Sequence, residues 1–154
     1  MAENKTITPL AHRELAAQYF NNVWDLLEKE NRTEEDNQRM VHLCHASFLH
    51  WTEIENHTAE HLSIGYWQLS RVYVTIGKPE IALEYAKKCI EISEKGGLTP
   101  FYLGYAFEAL ARAYYQLHLI PEAKAAFETA YSLAKQVEPS DHQELLIKDL
   151  ETMM

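Results

Sequence analysis

The chain has 154 residues, 47% of them hydrophobic, with 14 Lys and Arg against 23 Asp and Glu, a formal net charge of -9. That length suits one domain burying roughly two-thirds of its unfolded surface, and the apolar content is too high for a disordered chain. The acidity argues against nucleic-acid and anionic-membrane partners, which need clustered Lys and Arg, and five Gly with five Pro leave little for a turn-rich β fold.

Residues 1–7 are polar and expected to fray. Thr8-Pro9 then opens a first helix, with Leu15, Tyr19, Val23 and Leu26 or Leu27 on one stripe, ended by the charged run from Glu28 to Arg32. Thr33 with Asp36 three residues on reads as a capping box for a second helix, in which Met40, Cys44, Phe48 and Trp51 face inward. A loop near Glu55–His57 leads to a third helix ending about Ile76, and Gly77-Lys78-Pro79 turns into a fourth. Gly96-Gly97 stops that helix. Thr99-Pro100 starts a fifth, ending near His118, and Pro121 a sixth. After Pro139, Ser140 and Gln143 suggest another capping box, opening a seventh helix with Leu145, Leu146 and Leu150. Met1–Lys5 lacks the apolar run of a signal peptide, no stretch is long and apolar enough to span a membrane, and Cys44 and Cys89 fall on apolar helix faces. The expected compartment is therefore a reducing cytoplasm.

One pattern is written twice. Tyr66, Leu69, Ser70, Tyr73, Ala82, Ala86 and Cys89 are followed, 41 residues later in every case, by Phe107, Leu110, Ala111, Tyr114, Ala123, Phe127 and Ala130. A fixed period of this size means stacked helical hairpins. Small residues at 70, 82, 111 and 123 allow close helix contact, so Ala111 and Ala123 should be buried where the fifth and sixth helices meet. Leu15-Ala16 with Tyr19-Phe20 echoes the pattern 54 residues upstream of Leu69, as a diverged first copy with longer helices.

These residues resemble the tetratricopeptide repeat, whose first helix carries an aromatic, Leu, a small residue and Tyr, and whose second carries Ala, an aromatic and another small residue. The chain departs from the family in its period, in Ala86 at the usual aromatic position, and in His118 where the first copy has the turn glycine Gly77. The resemblance implies an all-α fold of antiparallel helix-hairpin repeats, a tetratricopeptide-like α-solenoid of about seven helices. It implies one domain over residues 8–154, with repeats at about 8–55, 58–96 and 99–137 and a C-terminal capping helix at 140–152.

The same resemblance implies a concave groove lined by the first helix of each repeat. Its register places Trp67, Arg71 and Val74 on that surface, then Glu108, Arg112 and Tyr115, with Gln68 and Gln116 beside them. Two guanidinium groups at equivalent positions suit a carboxylate, and Trp67 and Tyr115 offer stacking faces. The alternative for both arginines is internal pairing, for example with Glu108. The family's carboxylate clamp has Asn where this chain has Arg, so a chaperone tail is not the implied ligand.

Eight histidines raise a metal reading. His57 and His61 have the i, i+4 spacing that lets two imidazoles share a helix face, and His42, His45 and His50 crowd the preceding helix, with Glu53 and Glu60 nearby. They do not converge on one face, and no HExxH motif is present, so no metal or other cofactor is expected. Cys44-His45 and Ser47 with His50 lack an accompanying oxyanion element and give no catalytic site. The resulting reading is a non-enzymatic binding module for a peptide or protein segment, acidic in character. A metal-dependent or small-molecule enzyme centred on the His-rich second and third helices is the alternative, and a homodimer whose groove is filled by its own partner is a third.

Overall fold

The computed structural model describes residues 8–153, so the expected fraying of residues 1–7 lies outside the described residues. Seven helices and no strand occur among those described: α1 Pro9–Leu27, α2 Glu34–Glu53, α3 Ala59–Thr75, α4 Pro79–Lys95, α5 Pro100–Gln116, α6 Ile120–Ala134 and α7 Ser140–Glu151. The Thr8 hydroxyl accepts the Ala11 N–H at 3.1 Å. Thr33 and Asp36 form the full capping box, satisfying two otherwise orphaned donors. Pro79 and Pro100 stand first in their helices, where the missing N–H costs nothing.

The expected capping box at Ser140 does not form. Pro139 is the N-cap of α7 and Ser140 is already helical. The Gln143 amide instead donates to the carbonyls of Ala134 and Lys135, satisfying the end of α6. Helix ends use left-handed backbone at Gly77 (φ 81°), Gly97 (φ 59°) and His118 (φ 61°). The next N–H then reaches back five residues: Lys78 to Tyr73, Leu98 to Ser93 and Leu119 to Tyr114. His118 therefore repeats the turn geometry of Gly77 without its glycine.

The chain divides into two compact units, the first up to Thr58 and the second from Ala59. In the first, α1 and α2 pair antiparallel, with Ala16, Val23, Met40, Leu43 and Cys44 buried. The Ser47 hydroxyl donates to the Ala16 carbonyl at 2.7 Å, so two small residues mark the close approach. Phe48 and Trp51, expected inward, are half-buried. These helices have 19 and 20 residues, against 17 in each of α3, α4 and α5.

In the second unit α3 pairs with α4 and α5 with α6, and α5 also packs on both α3 and α4. The small residues act as their spacing requires. The Ser70 hydroxyl donates to the Ala82 carbonyl at 2.8 Å, and Ala82, Ala111 and Ala123 have no exposed surface. Helix α7 packs on α5 and α6 over a core of Ala130, Ala134, Val137, Leu146 and Leu150. Gly104 permits this approach: a Cβ there would stand 2.6 Å from a Leu146 methyl. Where α5 has half-buried Phe107 and Leu110, the same register in α7 has exposed Lys148 and Glu151. The helix thus closes the stack with a polar outer face, as a cap must.

Candidate functional site

The 41-residue period brings Trp67 on α3 and Glu108 on α5 to equivalent points of consecutive hairpins. Glu108 has no exposed surface. An isolated carboxylate there would be strongly destabilised, so the geometry around it is decisive. The Trp67 indole N–H donates to Glu108 Oε2 at 2.8 Å. Arg71 Nη2 donates to Oε1 at 2.5 Å, and Arg112 Nε donates to the same oxygen. Burial by itself would raise the Glu108 pKa. The charges of Arg71 and Arg112, with the Arg112 and Trp67 hydrogen bonds, outweigh it and hold the carboxyl below its usual range.

Arg71 also lies over the Trp67 ring, 5.2 Å from its centroid. Arg112 reaches further along: its Nη2 donates to the Asp149 carbonyl at 2.7 Å and to the Thr152 hydroxyl at 2.5 Å. The two arginines thus make the same kind of reach, each to a residue 37 positions on, from α3 to α5 and from α5 to α7. The Asp149 carboxylate accepts from the Tyr105 hydroxyl at 2.6 Å. Burial and that bond push the Tyr105 pKa upward.

Above this cluster lies an open pocket of about 480 Å³, lined by Arg71, Val74 and Thr75 of α3, Arg112, Tyr115 and Gln116 of α5, and Met153 just beyond α7. Its α3 and α5 residues form three pairs, each 41 residues apart. The Gln116 amide donates to the Val74 carbonyl at 2.8 Å and ties the two walls together.

A family model for the tetratricopeptide repeat matches residues 65–95. Residues 65–95 are a tetratricopeptide repeat. The match takes in most of α3 and all of α4, and α5–α6 follows the repeat in the same register. No curated protein and no solved structure matches the chain.

Of the five expected groove residues, Arg71, Arg112 and Tyr115 line the pocket. Trp67 and Glu108 do not. Trp67 keeps 7% of its surface and Glu108 none, and both lie in the seam between the repeat and its successor. The reason is physical: two guanidiniums and an indole N–H supply the hydrogen bonds and the charge that a buried carboxylate needs to stay ionised. Gln68, expected beside the groove, is also buried.

The histidines fall elsewhere. The His57 ring bonds the Ile54 carbonyl at 2.8 Å. His50 pairs with His12 on α1, Nδ1 to Nδ1 at 2.8 Å, a contact across 38 residues that no sequence period signals. Among the described residues no group of three or more His, Cys, Asp or Glu is arranged to hold a metal ion. Burial pushes the Cys44 and Cys89 thiols up to about 12, so both stay protonated near neutral pH. No helix among the described residues is long and apolar enough to cross a membrane.

Proposed function

We propose that the chain is a binding module that holds a peptide or protein segment in the groove over α3 and α5. The observation that carries this reading is the pocket built from three equivalent residue pairs: Arg71 with Arg112, Val74 with Tyr115, and Thr75 with Gln116. A groove lined at equivalent positions of successive helices, with Arg repeated at one of them, suits a ligand that is itself a chain. Glu108 takes one hydrogen bond from each guanidinium. Both guanidiniums also line the pocket, where they are the cations within reach of a bound carboxylate. An acidic segment is therefore the favoured partner.

The test is selection from a random peptide library with the full chain as bait, repeated with Tyr115→Ala. Tyr115 lines the pocket and lies outside the Glu108 cluster, so its loss should leave the melting temperature within a few degrees of wild type. Wild type should enrich Asp- or Glu-containing peptides that Tyr115→Ala fails to hold. Enriched peptides that bind both proteins equally would show the groove is not the site. Light scattering on the same samples tests the homodimer: a dimer that dissociates as peptide is added places a second copy in the groove, and a monomer throughout removes that reading.

A further inference from the structure

The register of the groove extends into α7, and it changes chemistry there. Met153 follows Arg112 by 41 residues, as Arg112 follows Arg71. The placement is structural as well as numerical, because Arg112 reaches the Asp149 carbonyl of α7 with the offset by which Arg71 reaches Glu108 of α5. Helix α3, helix α5 and the turn just after α7 therefore bring Arg71, Arg112 and Met153, each 41 residues apart, to the pocket, and Met153, half-buried, also leans on the core beneath α7. Asp149 of α7 is engaged by the Tyr105 hydroxyl. Beyond its arginines the pocket offers the polar groups of Thr75 and Gln116 and the apolar surface of Val74, Tyr115 and Met153, with the thioether at the α7 end.

Resting on the groove reading above, we infer that the partner segment carries an acidic residue and, about three residues to one side of it, a large apolar residue. The spacing follows from geometry. Packed helices lie 8–10 Å apart, and an extended chain advances about 3.1–3.4 Å per residue. One step from helix to helix therefore spans about three residues. The acid meets Arg71 and Arg112, and the apolar side chain lies one step on, against Met153, whose unbranched, polarisable side chain adapts to Leu, Ile, Met or Phe alike.

The experiment uses acetylated, amidated nonapeptides with a fixed central Asp on a Gly/Ser background, with one Leu scanned through every other position. Binding to the full chain is measured by fluorescence anisotropy. Leu three residues from Asp, on one side only, should bind about tenfold more tightly than Leu at other positions, and Asn in place of Asp should lose that gain. Met153→Arg should move the preference at that position from Leu to a second Asp, because it adds a third guanidinium at the α7 end of the pocket. Asp peptides that bind equally wherever Leu stands, with Tyr115→Ala abolishing binding, would overturn the spacing and leave the groove reading intact. Peptides that bind Tyr115→Ala as well as wild type would overturn both.

Discussion

The Trp67 indole N–H and the Glu108 carboxylate meet at 2.8 Å, although the two residues occupy the same position in successive hairpins. Equivalence in the period usually means parallel roles on one surface. Here one member donates and the other accepts, and together they join the tetratricopeptide repeat to the hairpin that follows. Both arginines converge on that carboxylate and also line the pocket, so seam and pocket share one hydrogen-bond cluster.

That sharing fixes the expected effect of Glu108→Gln. Removing the charge leaves two guanidiniums without their anion in a buried seam, and breaking a buried pair in this way costs about 3–5 kcal/mol. Urea unfolding should show the full loss in the midpoint. A change below about 1 kcal/mol would mean that the arginines find other partners and that the carboxylate is dispensable.

Arg112→Lys separates charge from shape. Lys keeps the positive charge but cannot donate to Glu108, the Asp149 carbonyl and Thr152 at once. Stability should fall by about 1–3 kcal/mol, the cost of charged hydrogen bonds left unmade, and α7 should gain amide hydrogen exchange before α3 does. Uniform exchange across α3 to α7 would show that Arg112 does not hold the cap in place.

Much of this fold was legible because helix boundaries are local chemistry. Thr8-Pro9, Thr33 with Asp36, Pro79, Gly77 and Gly96-Gly97 each act within a turn of themselves, and the structure uses them where the sequence has them. Ser140 with Gln143 misled because a capping motif names two residues but not the residue that turns the chain, and Pro139 takes that role. Glu108 misled for a deeper reason. Its register is that of a groove wall, and whether a charged side chain faces water or a seam depends on partners 37 and 41 residues away. The His12–His50 contact obeys no period at all.

The small-residue rule can be tested by exchanging one repeat's solution for the other's. Ser70 donates to Ala82, and Ala111 stands at the equivalent point above Ala123. Ala111→Ser should stay within about 1 kcal/mol of wild type, because its hydroxyl finds the Ala123 carbonyl as Ser70 finds that of Ala82. Ala111→Leu should cost about 1–3 kcal/mol by overpacking a contact with no spare surface. Equal stability of the two variants by thermal unfolding would show that α5 and α6 do not meet closely at that residue.

His118 adopts φ 61°, where its counterpart Gly77 has φ 81°. A left-handed conformation costs an L residue about 1–2 kcal/mol that glycine does not incur. Gly gives back part of that through its more flexible unfolded state. His118→Gly should therefore stabilise the second unit by about 0.5–1 kcal/mol, and Gly77→Ala should destabilise it by a similar amount. A destabilised His118→Gly would mean the imidazole makes a contribution that outweighs its backbone strain.

The first unit should respond to acid through His50, which bonds His12. Their Nδ1 atoms lie 2.8 Å apart, so a single proton between them makes the bond, and a proton on each nitrogen breaks it. Burial, and then the charge of His12, lower the His50 pKa, while Glu53 opposes them. The Tyr19 ring lies 5.8 Å from that of His50. A folded pKa below the unfolded one means the unfolded chain binds the proton more readily. The stabilisation is then complete above the ordinary histidine pKa of about 6.5 and is lost as pH falls through it towards the lowered value. Helices α1 and α2 should thus exchange amide hydrogens faster at pH 5 than at pH 7, after correction for intrinsic rates. His50→Gln keeps a side-chain donor but cannot take the second charge, so it should reduce that dependence to the part left by His45, whose pKa burial also lowers. If wild type and His50→Gln show the same change between pH 7 and pH 5, the acid response belongs to other groups and the pair is a pH-insensitive contact.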